Sequence, residues 1–263
     1  ENVKSITRDQ LVAYVKQNYT APRIVLAAAG GVDHNELVKL AADNLSGLSS
    51  DHAALNVPRC KFTAAEIRAR EDDMDAAHVA IAVEGAGWAH EDFIPLMVAN
   101  SVVGSWDRSF GGGRNLTSRL AATVHESNLA HSFMSFNTCY SDTSLWGNYF
   151  VCDKMMIDDF IFNLQNAWLS LSLSVTEAEV ERAKNTLKSQ MLLQLDGTTA
   201  VCEDIGRQML TYGRRMSPAE LAMRIDSVDA KAVRDTSMKY IYDQDFALAA
   251  MGPIEGLPDY NRM

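Results

Sequence analysis

Residues 131–153 read HSFMSFNTCYSDTSLWGNYFVCD. Two aromatic-rich runs, HSFMSFNTCY and SLWGNYFVCD, flank the turn-forming pair Ser141-Asp142, so the stretch predicts a β-hairpin. Its aromatic residues Phe133, Phe136, Tyr140, Trp146 and Tyr149 are read as core packing rather than as a binding platform. Beyond the hairpin the pattern turns helical, with four or five helices expected. Thr176 and Glu179 have capping-box spacing at the head of TEAEVERAKNTLKSQMLLQL, where Val180, Ala183, Leu187 and Met191 form a stripe. Asp196-Gly197 stops that helix. Ser217, Pro218 and Glu220 open another, with proline at the favoured first position. A helix at about 230–240 and the strand FALAAMG (246–252) close the chain. Strands and helices are segregated rather than alternating, which makes the fold class α+β.

Upstream of the hairpin, HVAIAVEG (78–85) predicts a strand and EDFIPLMVANSVVG (91–104) a helix ended by Gly104. SWDRSFGGG then reads as a loop before a short helix at about 115–124. Nearer the start, Thr7 caps TRDQLVAYVKQNY, RIVLAAAGGV (23–32) reads as a buried strand, and Asp33 caps HNELVKLAADNLSGL. From 49 to 63 the periodicity disappears around Pro58, and this stretch is the expected linker.

One internal match organises these pieces. Shifting residues 2–32 by 222 lays them on 224–254 without a gap. Ser5 meets Ser227, Leu26-Ala27-Ala28 meets Leu248-Ala249-Ala250, and Gly30 meets Gly252, while Ile6, Leu11 and Val32 face Val228, Val233 and Ile254. Both windows read helix, loop, buried strand, glycine. A repeat of that period is domain-sized. The expected organisation is therefore a remnant of a first α+β domain at 1–48, the linker at 49–63, and a nearly complete second, homologous domain at 64–263. The opening ENVKSITRDQLVAYV is neither a secretory signal nor a transit peptide and reads as if a protein were entered midway.

The 263 residues carry 34 acidic and 24 basic side chains, a net charge of −10, with 47% hydrophobic residues. No run approaches the ~18 apolar residues of a membrane span, and there is no basic stripe for nucleic acid. The acidity suits cationic partners and equally suits a solvated surface. Four well-separated cysteines, without C-x-x-C spacing, fit a reducing compartment better than a disulfide framework.

Catalytic signatures are missing. None of the six histidines are four residues apart, so neither His-Glu-x-x-His nor His-x-x-Glu-His occurs. G-x-S-x-G and the phosphate-cradling glycine motifs are absent too, and Gly111-Gly112-Gly113 reads as a tight loop before a helix. His125 and His131 flank a predicted loop with Glu126 between them. They could meet a substrate or a metal, or be ordinary structural or solvated histidines.

Several long strings resemble one family. GSWDRSFGGGRNLTSRLA (104–121), SFNTCYSDTSLWG (135–147), LLQLDGTTAVCEDIGRQMLTYGRR (192–215) and GPIEGLPDYNR (252–262) closely resemble the pitrilysin-type metallopeptidase family, in its processing-peptidase and core-protein branch. APRIVLAAAGGVDH (21–34) and AHVAIAVEGAGWAH (77–90) match as well, so the resemblance covers essentially the whole chain. It implies two homologous α+β domains per subunit, each a mainly antiparallel sheet packed with helices. It also implies pairing with a homologous subunit (an alpha subunit or a core protein II) around a cavity. In that family zinc is held by an inverted motif in the first domain, upstream of what corresponds to Glu1, so no metal ligand falls on this sequence.

The implied activity of the full protein is zinc-dependent removal of N-terminal presequences from imported proteins in the mitochondrial matrix. The alternative is a structural core subunit on the matrix side of respiratory complex III, beside cytochrome b and cytochrome c1, and in some lineages one polypeptide serves both roles. Many members carry an Arg and a Tyr in the second domain that help hold substrate. With a one-residue deletion those positions fall at His125 and His131, which with Glu126 are the substrate-cavity candidates of this chain.

Overall fold

A computed structural model describes residues 2–50, 58–113, 116 and 118–263. The first half runs α1 (Asn2–Ser5), α2 (Arg8–Asn18), α3 (His34–Leu45), β1 (Glu66–Arg70), β2 (Ala77–Ala86), α4 (Phe93–Val103), β3 (Ser105–Asp107) and α5 (Arg119–Ser127). It continues through β4 (Ser132–Cys139), β5 (Thr143–Cys152), α6 (Ile157–Leu173), α7 (Glu177–Gln194), α8 (Thr198–Tyr212), α9 (Pro218–Asp226), α10 (Ala230–Tyr240) and β6 (Phe246–Gly252). Two compact units result, one of residues 1–58 with 194–215 and one of residues 59–193 with 216–263.

The larger unit is a six-stranded sheet in the order β1-β6-β2-β5-β4-β3, antiparallel except for the β1–β6 pair. The hairpin forms one side of it: β4 and β5 pair from Cys139↔Ser144 to Ser132↔Val151, and Tyr140 N–H donates to the Thr143 carbonyl at 2.8 Å across the turn. Strand alternation gives the sheet two unlike faces. Val79, Val83, Phe133, Trp146, Phe150 and Leu248 point to one side and are buried under α4, α6 and α10. Ala80, Ala82, Phe136, Leu145, Gly147 and Tyr149 share the other side with the half-exposed Met134 and Met251. The hairpin aromatics are therefore only partly core. Trp146 and Phe133 are buried, Phe136 and Tyr149 belong to the opposite face, and Tyr140 is exposed.

A buried polar chain crosses the helix side. The Trp168 indole N–H donates to the Asn148 side-chain oxygen (2.8 Å), Asn148 Nδ2 to Ser135 Oγ (2.8 Å), and Ser135 Oγ to the Gly104 carbonyl (2.7 Å). It ties α6, β5, β4 and the end of α4 together with each donor satisfied. Helix ends are closed as their sequences require. Thr176 and Glu179 exchange backbone bonds at the head of α7, and Ser217 accepts from Glu220 N at the head of α9. Lys184, 7% exposed, donates to the Asp226 and Val228 carbonyls and so satisfies the C-terminal end of α9. All four cysteines are free thiols; burial pushes Cys139 up to about 11 and Cys152 up to about 12.

Several expectations change. Residues 23–32 form no strand, because no neighbouring strand among the described residues lies beside them; Leu26 is 54% exposed. The short helix starts only at Arg119, after Ser118 accepts from Ala121 N. The loop at 105–113 contains the short strand β3 and a 3-10 turn at Arg108–Phe110. β1, unforeseen, is an exposed five-residue edge whose Arg68 donates to the Leu257 and Pro258 carbonyls. Residues 51–57 of the expected linker lie outside the described residues.

The internal match has a structural counterpart. α2 and α10 are offset by 222 at both ends, and each has its cap side chain, Thr7 or Asp229, accepting from the third helical N–H. Gly30 and Gly252 share φ values of 110° and 112°, and each accepts a 2.9 Å bond from the residue two further on.

Asp92, at the head of α4, accepts from Lys239 Nζ (2.6 Å) and the Tyr240 hydroxyl (3.0 Å) of α10. Partial burial raises the Asp92 pKa, but the bonds from Lys239 and Tyr240 outweigh it and the net shift is below 3.8. The bond to Asp92 raises Lys239 to about 12. A depressed carboxylate contributes stability above its unfolded pKa and loses it as pH falls through the folded one. Asp92→Asn is expected to destabilise the unit by about 1 kcal/mol at pH 7. In urea titrations the gap to wild type should close below pH 3.8 and also as pH rises through about 12.

Gly147 is set by contact: a Cβ there would stand 2.0 Å from the Ile81 carbonyl oxygen and 2.7 Å from Ala82 Cα, both backbone. Gly206, inside α8, has only Ala27 Cβ at 3.7 Å. Gly147→Ala should therefore cost about 3 kcal/mol or more, while Gly206→Ala should gain up to about 1 kcal/mol from helix propensity. Denaturant unfolding of the two variants checks both signs.

Candidate functional site

His125, Glu126 and His131 sit at one end of the larger unit, where α5 hands over to β4. α5 ends at Asn128, which adopts a left-handed conformation (φ 50°) and turns the chain into β4. His125 occupies the last turn of α5 and meets the buried Trp106 ring edge-on at 5.9 Å. The Trp106 indole N–H donates to the Gly111 carbonyl at 2.9 Å, and the turn passes so close to His125 that a Cβ at Gly112 would lie 1.7 Å from its Nε2. The turn is glycine for that reason, and Gly111 (φ 70°) and Gly113 (φ 137°) also need their backbone freedom.

His131 is held separately. Its N–H donates to the Val151 carbonyl (2.8 Å), its carbonyl accepts from Arg108 N (2.9 Å), and its Nε2 pairs with Asp153 at 3.0 Å. Arg108 links the two histidines, because its guanidinium also donates to the Asn128 side chain at 2.6 Å. Asp107 accepts from the Ser109 side chain and from its N–H, and the two together hold its carboxyl below the usual range. Glu126 is exposed and joins none of these bonds. Sequence reading missed Arg108, Asn128, Asp153 and Trp106. Only Asn128 carried a signal, as an asparagine just past a helix.

The arrangement can bind and orient. Neither histidine is hydrogen-bonded to a Ser, Thr or Cys nucleophile among the described residues. Among those residues no group of three or more His, Cys, Asp or Glu side chains could hold a metal ion.

The family described as "Peptidase M16 inactive domain" matches residues 5–187. Mitochondrial-processing peptidase subunit beta of Mus musculus is 57% identical over the whole chain, which covers 54% of that protein. Cytochrome b-c1 complex subunit 1 of Bos taurus is 52% identical, again over the whole chain and 55% of the relative. In the solved complex III2 from Candida albicans with Inz-5 bound, one chain superposes with a TM-score of 0.94 at 30% identity, over 99% of this chain and 62% of that one. The chain belongs to the M16 peptidase family and carries its inactive domain. Its relatives are mitochondrial proteins, and it spans about half the length of the curated relatives it matches.

The close fit of Gly112 on His125 makes a direct prediction. Gly112→Ala should expel the imidazole from the Trp106 edge, moving the His125 ring-proton resonances while leaving those of His131 in place. Two-dimensional NMR of the histidine ring protons reads both residues.

Proposed function

We propose that the chain is the C-terminal half of a mitochondrial processing-peptidase β subunit, which removes presequences from imported proteins in the matrix. The observation that carries the proposal is 57% identity to such a subunit along the whole chain. Zinc and its ligands belong to the upstream half, and a homologous alpha subunit completes the cavity. Residues 1–48 close the first domain, 49–63 form the linker and 64–263 make the second domain. The 222-residue offset of α2 and α10 supports two homologous domains.

This chain's part is to hold substrate. The face of small apolar residues around Ala80, Ala82 and Gly147 suits the apolar side of a presequence, and a net charge of −10 suits its basic side. His125, Glu126 and His131 offer polar contacts at the end of that unit, with His131 oriented by Asp153. The second reading, a core subunit of complex III contacting cytochrome b and cytochrome c1, is supported by the 0.94 TM-score to a chain of that complex.

Reconstitution tests the choice. The chain joined to its upstream half and mixed with a homologous alpha subunit should cleave a presequence peptide, and a chelator should stop it. His125→Ala/His131→Ala should raise KM severalfold with kcat within about twofold. A zinc-free protein that purifies with cytochrome b and cytochrome c1 and cleaves nothing would establish the core-subunit reading instead.

A further inference from the structure

Asp196 and Gly197, in the turn between α7 and α8, make the one Asp-Gly pair in the 263-residue sequence, and no asparagine is followed by glycine. The pair matters because an aspartyl carboxyl and the next peptide nitrogen can close a five-membered ring. A side chain on the following residue crowds that approach; glycine removes the obstacle and leaves its own backbone free to turn. Gly197 has a φ of 105°, and a Cβ built on it would meet no atom within 4 Å, so its peptide stands in open space. Both residues are exposed. Among the described residues the Asp196 carboxylate has no hydrogen-bond or ion-pair partner, and the Gly197 N–H donates to no acceptor. The head of α8 has no side-chain cap, so Asp196 is not drawn onto the helix.

Other aspartates are held differently. Asp226 accepts from Lys188 Nζ at 2.6 Å, and the next nitrogen, of Ser227, donates to the Met223 carbonyl at 3.1 Å. Asp142 accepts from Cys60 N–H at 2.7 Å and is followed by Thr143, a β-branched residue in the β5 ladder. In both places the carboxylate is engaged and the following residue is fixed. At Asp196 neither restraint exists.

We propose that Asp196 is a self-modification site, at which the folded chain converts aspartate to isoaspartate. The Gly197 nitrogen attacks the γ-carbon of the protonated carboxyl and a C–N bond forms. The carboxyl hydroxyl and the amide hydrogen leave as water, and a succinimide results. Water then opens the ring. Addition at the γ-carbonyl regenerates aspartate, whereas addition at the α-carbonyl leaves the backbone running through the side chain as isoaspartate. One water is lost and one gained, and nothing is oxidised or reduced. The product lengthens the α7–α8 connection by one methylene and sets a free carboxylate beside the uncapped head of α8. The proposal is independent of the peptidase and core-subunit readings, because it uses neither the open sheet face nor the histidines nor zinc.

The test ages the chain at neutral pH and physiological temperature in water enriched in heavy oxygen, then maps tryptic peptides by mass spectrometry. The peptide Ser189–Arg207 should take up the label at Asp196 and become resistant there to an aspartate-specific protease. The aged chain should also accept a methyl group from an isoaspartate-specific carboxyl methyltransferase. Asp196→Glu, whose ring would be six-membered, should abolish that acceptance, and Gly197→Ala should slow it severalfold. Circular dichroism melts report the folding of each variant. In urea both Asp196 and Asp226 should react, but in the folded chain only Asp196 should, within severalfold of its rate in urea. An Asp196 that reacts in urea and not in the folded chain would overturn the proposal. So would equal labelling of Asp226 in the folded chain, which would assign the reaction to global unfolding. Unchanged methyl acceptance in folded Asp196→Glu, or a folded Gly197→Ala chain that reacts as fast as wild type, would overturn it too.

Discussion

The sheet of the larger unit depends on the approach of β5 to β2 at Gly147, where no side chain can be fitted against the Ile81 carbonyl. That contact sets the register in which Trp146 meets Val83 and Phe150 meets Val79. A slip of one residue would exchange the two faces, placing Trp146 and Phe150 on the open side and breaking the chain from Trp168 through Asn148 to Ser135. Asn148 is fully buried, so its polar groups are tolerable only in the one register that pairs them. Steric exclusion at Gly147 and hydrogen bonding at Asn148 thus select the same alignment from opposite directions.

The elements legible in the sequence were those whose pattern matches their burial. β2, β5 and β6 have apolar runs because one face of each lies under the helices, and the capping residues Thr7, Asp33, Thr176 and Ser217 mark helix starts because orphan N–H groups need acceptors. What escaped was set by distant partners. β1 is strand only because β6 lies beside it and the 257–258 carbonyls hold Arg68, and none of that is encoded within EIRAR. Residues 23–32 fail in the opposite sense. They have the composition of a central strand but, among the described residues, no ladder partner, and a strand is defined by its neighbours as much as by its side chains.

The candidate site was half legible for a related reason. His125, Glu126 and His131 stood out as titratable residues near a loop, but what holds the two histidines is assembled from elsewhere. Trp106 and the Gly111–Gly113 turn hold one, Asp153 and the Val151 backbone hold the other, and Arg108 reaches both neighbourhoods. Such a frame gives fixed orientation without a nucleophile or a metal.

The two windows of the repeat differ in how they are covered. Val228, Val233, Leu248 and Ile254 are between 0% and 5% exposed, while their counterparts Ile6, Leu11, Leu26 and Val32 are between 50% and 55% exposed. The helix, its cap and the glycine match, yet one copy is covered and the other is not. Each half-uncovered side chain forgoes about 1 kcal/mol of burial. Four such positions in matching register would be a poor design for a finished surface, and they are what the closing elements of a sheet domain present before the sheet is supplied. The proposed first domain would supply it. Strand 24–30 would then sit as β6 does, between a parallel and an antiparallel neighbour, and the proposed zinc ligands would lie in the same upstream segment that buries these residues.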